Sequence, residues 1–178
     1  MANHFPMKVY RFCSILVFTC TFLLAHNTAS AQKFHAPEEY TLEKKDDFRR
    51  YDNEIIKCAD WLENTRYDED NEAIKKAVNF MAEWVSGCPY INFSRNVRID
   101  AVFSDCPTLR VFYMSGWARN ALKNEGKTNK IQNCIAGLKC ALKVYASNRS
   151  IGRSSGFDEL QKIDRQGSLN EWVEDRMK

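Results

Sequence analysis

From residue 44 onward the apolar positions recur at spacings of three and four, the period that gathers side chains on one face of an α-helix. Phe48, Tyr51, Ile55, Cys58, Ala59 and Leu62 share such a face and predict one helix from Lys44 to Asn64. "TRYDED" interrupts the pattern, which resumes between Asn71 and Ser86 with Ile74, Ala77, Val78, Met81, Trp84 and Val85. Gly87 then suits the left-handed position that commonly follows a helix. A third helix is predicted from Pro107, since proline is favoured at the first helical position, with Cys106 as its N-cap. Leu109, Phe112, Tyr113, Trp117, Ala121 and Leu122 carry its face as far as Gly126. Thr128 is the expected cap of a fourth helix bearing Ile131, Cys134, Ile135, Leu138, Leu142 and Tyr145. Beyond the polar "SNRSIGRSSG" come two short helices, 157–166 and 169–177, the second opened by Ser168 and Glu171 at capping-box spacing.

Gly116 and Gly137 lie inside the third and fourth helices, where glycine costs about 1 kcal/mol relative to alanine and asks for a packing reason. The turn between the helices centres near Lys127, so a tight hairpin would place the two glycines at one level and bring the backbones together. Helices one and two are joined by a similarly short loop. The predicted fold is therefore all-α: a small bundle of two consecutive αα-hairpins plus short C-terminal helices, with an irregular or short extended crossing over residues 88–106. Within the crossing, "INF" and "VRI" alternate apolar and polar positions and read as extended pieces, with a two-stranded sheet as the alternative. Trp61, Trp84 and Trp117 keep no fixed period near 34, which favours a bundle over a helical-repeat array.

The first 31 residues carry a different pattern. Lys8 and Arg11 precede the apolar run "CSILVFTCTFLLA" from Cys13 to Ala25, and "ASA" ends at Ala31. These are the parts of an export signal cleaved after Ala31, and thirteen apolar residues fall short of the ~20 that span a bilayer. The chain thus divides into a leader (1–31), an extended N-terminal segment (32–43) and a single helical domain (44–178), with a periplasmic or extracellular destination and no membrane span after cleavage.

Removing the leader changes the chemistry on offer. The whole chain has a formal charge of +3, but once Lys8 and Arg11 leave, 24 basic residues face 23 acidic ones. The two signs are interleaved, as in "EKKDDFRRYDNE", so no basic stripe exists to follow a phosphate backbone, and nucleic acid is not an expected partner. His4 and His26 leave as well, so any Ser-His-Asp triad or histidine-bound zinc would depend on His35. "DEDNE" at Asp68–Glu72 has the alternating oxygens of a calcium loop but lacks its glycine and distal glutamate, and reads as an acidic helix start. No cofactor is predicted. Asn92-Phe93-Ser94 and Asn148-Arg149-Ser150 match the glycosylation pattern, which matters only in a eukaryotic host.

The stretches "CADWLENT", "AEWVSGCPYI", "SGWARNALKN" and "CIAGLKCALKVY" together resemble a group of small exported helical proteins of Gram-negative bacteria with no assigned function. The likeness spans most of the chain after the leader and lies in helix-packing residues. It implies an export signal followed by an all-α domain, and it transfers no active site.

Cysteines supply the remaining candidate chemistry: Cys58, Cys88, Cys106, Cys134 and Cys140 follow the leader. An oxidising compartment permits bridges, and the odd count leaves at least one thiol unpaired. Cys134 and Cys140 lie about 9 Å apart along one helix, too far to join. Cys58 and Cys134 fall on apolar faces as core residues. Cys88 and Cys106 flank the crossing, and a bridge between them would remove about 3 kcal/mol of chain freedom from the unfolded state. The rival reading makes Cys106 a reactive thiol activated by a helix N-terminus, although Asp105 opposes that activation. Plain helix boundaries are the third option. Tyr90 and Phe93, on a loop held by a rigid bundle, are the candidate binding residues, with core burial the competing fate for Phe93. Two functions follow: a non-catalytic exported helical domain that binds a protein or small ligand, or a thiol-dependent enzyme or redox protein centred on Cys106.

Overall fold

Four polar side chains start helices by accepting backbone N–H groups that have no partner in the first turn. Asn71 accepts from Ala73 and Ile74, Asn96 from Arg98 and Ile99, Asn129 from Gln132, and Ser154 from Phe157. The computed structural model describes residues 33–93 and 95–178; the leader expected over residues 1–31 lies outside them. The elements are α1 (Lys45–Arg50), α2 (Asp52–Asn64), α3 (Glu72–Gly87), α4 (Val97–Asp100), α5 (Leu109–Lys123), α6 (Lys130–Ser147), α7 (Ser155–Arg165) and α8 (Leu169–Met177). Single 3-10 turns cover Ala101–Phe103 and Arg149–Ile151. Every element is helical and no strand forms among the described residues, which bears out the all-α bundle. None of these helices is long and apolar enough to cross a membrane.

The helix expected from Lys44 to Asn64 is broken at Tyr51, whose backbone leaves helical geometry at φ −101° and ψ 5°. A distant residue accounts for the break. The Phe48 carbonyl accepts from the Trp84 indole N–H at 3.1 Å and from the Tyr51 N–H at 3.0 Å, so it is already engaged where a continuing helix would use it. Gly87 also differs from expectation: it is the last residue of α3 and does not adopt a left-handed φ. Cys88 ends the helix because it precedes Pro89, which forces extended backbone, here φ −61° and ψ 116°. Glycine is needed at 87 for space, since a Cβ there would lie 2.6 Å from the tip of the Phe48 ring.

The crossing is more helical than its alternation suggests. "VRI" belongs to α4 because Asn96 caps it, and the chain continues through the 3-10 turn to Phe103. The third long helix begins at Leu109 with Thr108 before it, so Cys106 is not its N-cap; Cys106 and Pro107 form a preceding turn in which their carbonyls accept from the Leu109 and Arg110 N–H groups. Thr128 likewise yields the capping role to Asn129, which forms a reciprocal box with Gln132, while the Thr128 hydroxyl donates to Asn133 at 2.7 Å.

The two interior glycines meet as the turn geometry predicts. A Cβ on Gly116 would lie 2.6 Å from the Cys140 Cβ and 3.0 Å from the Gly137 Cα, and one on Gly137 would lie 2.6 Å from the Tyr113 carbonyl oxygen. The α5–α6 hairpin is therefore packed backbone to backbone. Arg119 of α5 joins it to α2, contacting Asp60 at 2.8 Å and Glu63, while Lys143 of α6 donates to Asn64 at 2.8 Å. Arg119 and Glu63 are mostly buried, which sets this cluster apart from the exposed ion pairs that contribute little.

Apolar side chains of all the longer helices share one core, with Trp84, Trp117, Phe80, Phe103, Phe112 and Phe157 its largest fully buried members. At the C-terminus, Ser168 departs from its expected capping box: its side chain caps nothing, and its N–H instead bonds the Ile163 carbonyl in a Schellman turn around Gly167, φ 76°. The same turn closes α5, where the Gly126 N–H reaches the Ala121 carbonyl, but there the left-handed position is held by Glu125 at φ 53°. A residue with a Cβ pays about 1 kcal/mol for that conformation. Replacing Glu125 by glycine is therefore expected to stabilise the protein by about 0.5–1 kcal/mol, read as a higher urea midpoint at unchanged m-value.

Candidate functional site

Each residue singled out from the sequence is placed by the helices around it. Cys106 is buried, with Sγ 3.8 Å from the Ile151 carbonyl oxygen and beside Ser154, so the thiol faces the 148–154 loop and the Ser154 cap of α7, away from the start of α5 that the sequence suggested. Burial, and then the Asp105 carboxylate, push its pKa up, the opposite of the shift a nucleophilic thiol needs. Cys88 is half-buried at the other end of the crossing. The bridge considered between them is not present, because all five described cysteines are free thiols. Cys58 and Cys140 are sealed in the core, and burial raises Cys140 to about 12 and Cys134 to about 11.

Tyr90 and Phe93 lie against the bundle and are only partly exposed. The Tyr90 hydroxyl donates to Asp52 at 2.6 Å, its ring meets Trp84 edge-on at 6.1 Å, and the Arg49 guanidinium sits 5.7 Å from its centroid. Burial raises the Asp52 carboxyl even though Tyr90 and Arg49 favour its charged form. Cys88 stands beside this group, facing the N–H groups of Tyr90 and Ile91; burial outweighs them and its pKa is raised. Phe93 covers Trp117, ring centres 6.1 Å apart. Both aromatics thus help to seal the crossing onto α3 and α5.

Another aromatic group lies on the α2–α3 face. Residues 33–43 form no helix and run across that face as a strap. Phe34 is buried against Trp61, ring centres 6.0 Å apart, and Tyr40 meets Phe80 edge-on at 5.0 Å and Tyr51 at 6.3 Å. The Tyr40 hydroxyl donates to Glu83 at 2.8 Å; burial and this carboxylate raise the phenol to about 12. A groove of about 480 Å³ opens at one end of the strap between Leu42, Phe48 and the Glu83–Gly87 turn of α3. Another, of about 370 Å³, opens between strap residues 34–38 and Glu72, Ala73 and Lys76 of α3. His35, exposed, stands at the rim of the second groove with Glu38 and Glu72.

Sequence periodicity passes over this site because Phe34 and Tyr40 stand six apart in a polar stretch with no helical repeat. Two large aromatics in a segment lacking secondary structure were the available signal.

The remaining motifs serve structure. Asn71, at the end of the acidic stretch, caps α3, and no group of three or more metal-binding side chains occurs among the described residues. Asn148 is buried, accepting from the Tyr67 N–H at 2.6 Å and donating to the Val144 carbonyl at 2.8 Å, so its glycosylation motif is closed in the folded protein. The other motif ends at Ser94, outside the described residues. Compared with known proteins, the chain matches no family model, no curated protein and no solved structure.

Proposed function

We propose that this is an exported helical domain, periplasmic or extracellular, that binds a protein or small ligand and carries out no catalysis of its own, in keeping with the group of exported helical proteins it resembles. The observation that carries this reading is the α2–α3 face, where aromatic side chains of an extended segment sit between two helices and two open grooves lie beside that segment. A two-helix floor bordered by open clefts of mixed apolar and polar lining is a recurring form of peptide and ligand site. The alternative, a thiol enzyme centred on Cys106, gains nothing from a sulfur that is buried under the 148–154 loop and raised in pKa.

The test is rapid alkylation of protein taken from the exported fraction, followed by non-reducing peptide mapping. The expected chain begins at Gln32. Cys88 should be labelled first, with Cys58, Cys106, Cys134 and Cys140 at least roughly tenfold slower, because their labelling waits for local opening. Fast labelling of Cys106 below pH 7 would overturn the non-catalytic reading, and recovery of an uncleaved chain only inside the cell would overturn export.

A further inference from the structure

We draw no further inference here: the strongest candidate, the half-buried Cys88 thiol beside Tyr90 and Asp52 where the crossing meets the start of α2, is a lone cysteine, and nothing else among the described residues points to a ligand there.

Discussion

Gly137→Ala is expected to destabilise the protein by about 3 kcal/mol, more than twice what alanine's better helix propensity could return. The added methyl group has no free direction: it would lie 2.6 Å from the Tyr113 carbonyl oxygen and 2.7 Å from the Tyr113 ring. A flexible side-chain tip could turn aside, but the carbonyl belongs to the α5 backbone and moves only if the helices separate. Separation would then loosen the neighbouring contact, where a Cβ on Gly116 already has no room beside Cys140 and the Ala136 carbonyl oxygen. Gly116→Ala should therefore cost a similar amount, and the double variant less than the sum, because the first substitution opens the gap that the second needs. Urea unfolding measures all three. A loss below about 1 kcal/mol for either single variant would place the two backbones farther apart than described here.

Trp84→Ala carries the other large effect, about 4 kcal/mol. Trp84 is fully buried on α3, and its indole N–H donates to the Phe48 carbonyl at the end of α1. Truncation leaves a cavity against Phe48 and Tyr90, whose rings it meets at 6.4 and 6.1 Å, and it removes the bond that fixes the α1–α2 break. Trp84→Phe separates the two contributions. It keeps most of the volume and should cost about 1–1.5 kcal/mol for the lost hydrogen bond. In that variant the Phe48 carbonyl keeps only the Tyr51 N–H and has room to accept an ordinary helical bond as well, so hydrogen exchange should report greater protection at the start of α2. Unchanged exchange there would show that Tyr51 bends the helix for another reason.

What could be read from the sequence follows the range of the forces involved. Helices α3, α5, α6 and α8 are stabilised by faces that repeat within the helix itself, and each is visible as a run of apolar residues three and four apart. The meeting of Gly116 and Gly137 was legible because one short turn fixes it. Position 51 was not, because its break depends on Trp84, thirty-three residues away in the chain. "VRI" alternates like a strand, yet one Asn96 side chain bonding two N–H groups turns it into helix α4. Cys106 resembled an N-cap because Pro107 suits a helix start, but the tight turn through Pro107 and Thr108 moves the first helical residue to Leu109 and swings the thiol towards Ile151. The strap was legible as an extended segment but not as a cover of α2 and α3, since the residues it packs on, Trp61, Phe80 and Glu83, lie in those helices.

The free thiols bear on how this protein must come to its fold. On the proposed export route, with the leader removed, the unfolded chain would present five sulfurs to one another in an oxidising space before any core exists, and only the finished bundle hides Cys58, Cys106, Cys134 and Cys140. Folding and oxidation are then in a race. Cys134 and Cys140 are enclosed by the α5–α6 hairpin, whose partners are close in sequence, and contacts of that kind form in microseconds to milliseconds. Disulfide formation takes seconds to hours. On that route the close backbone pairing of α5 and α6 would protect the redox state of the chain as well as its stability, and a variant that slows hairpin closure should accumulate as misbridged material even where its final fold would be sound.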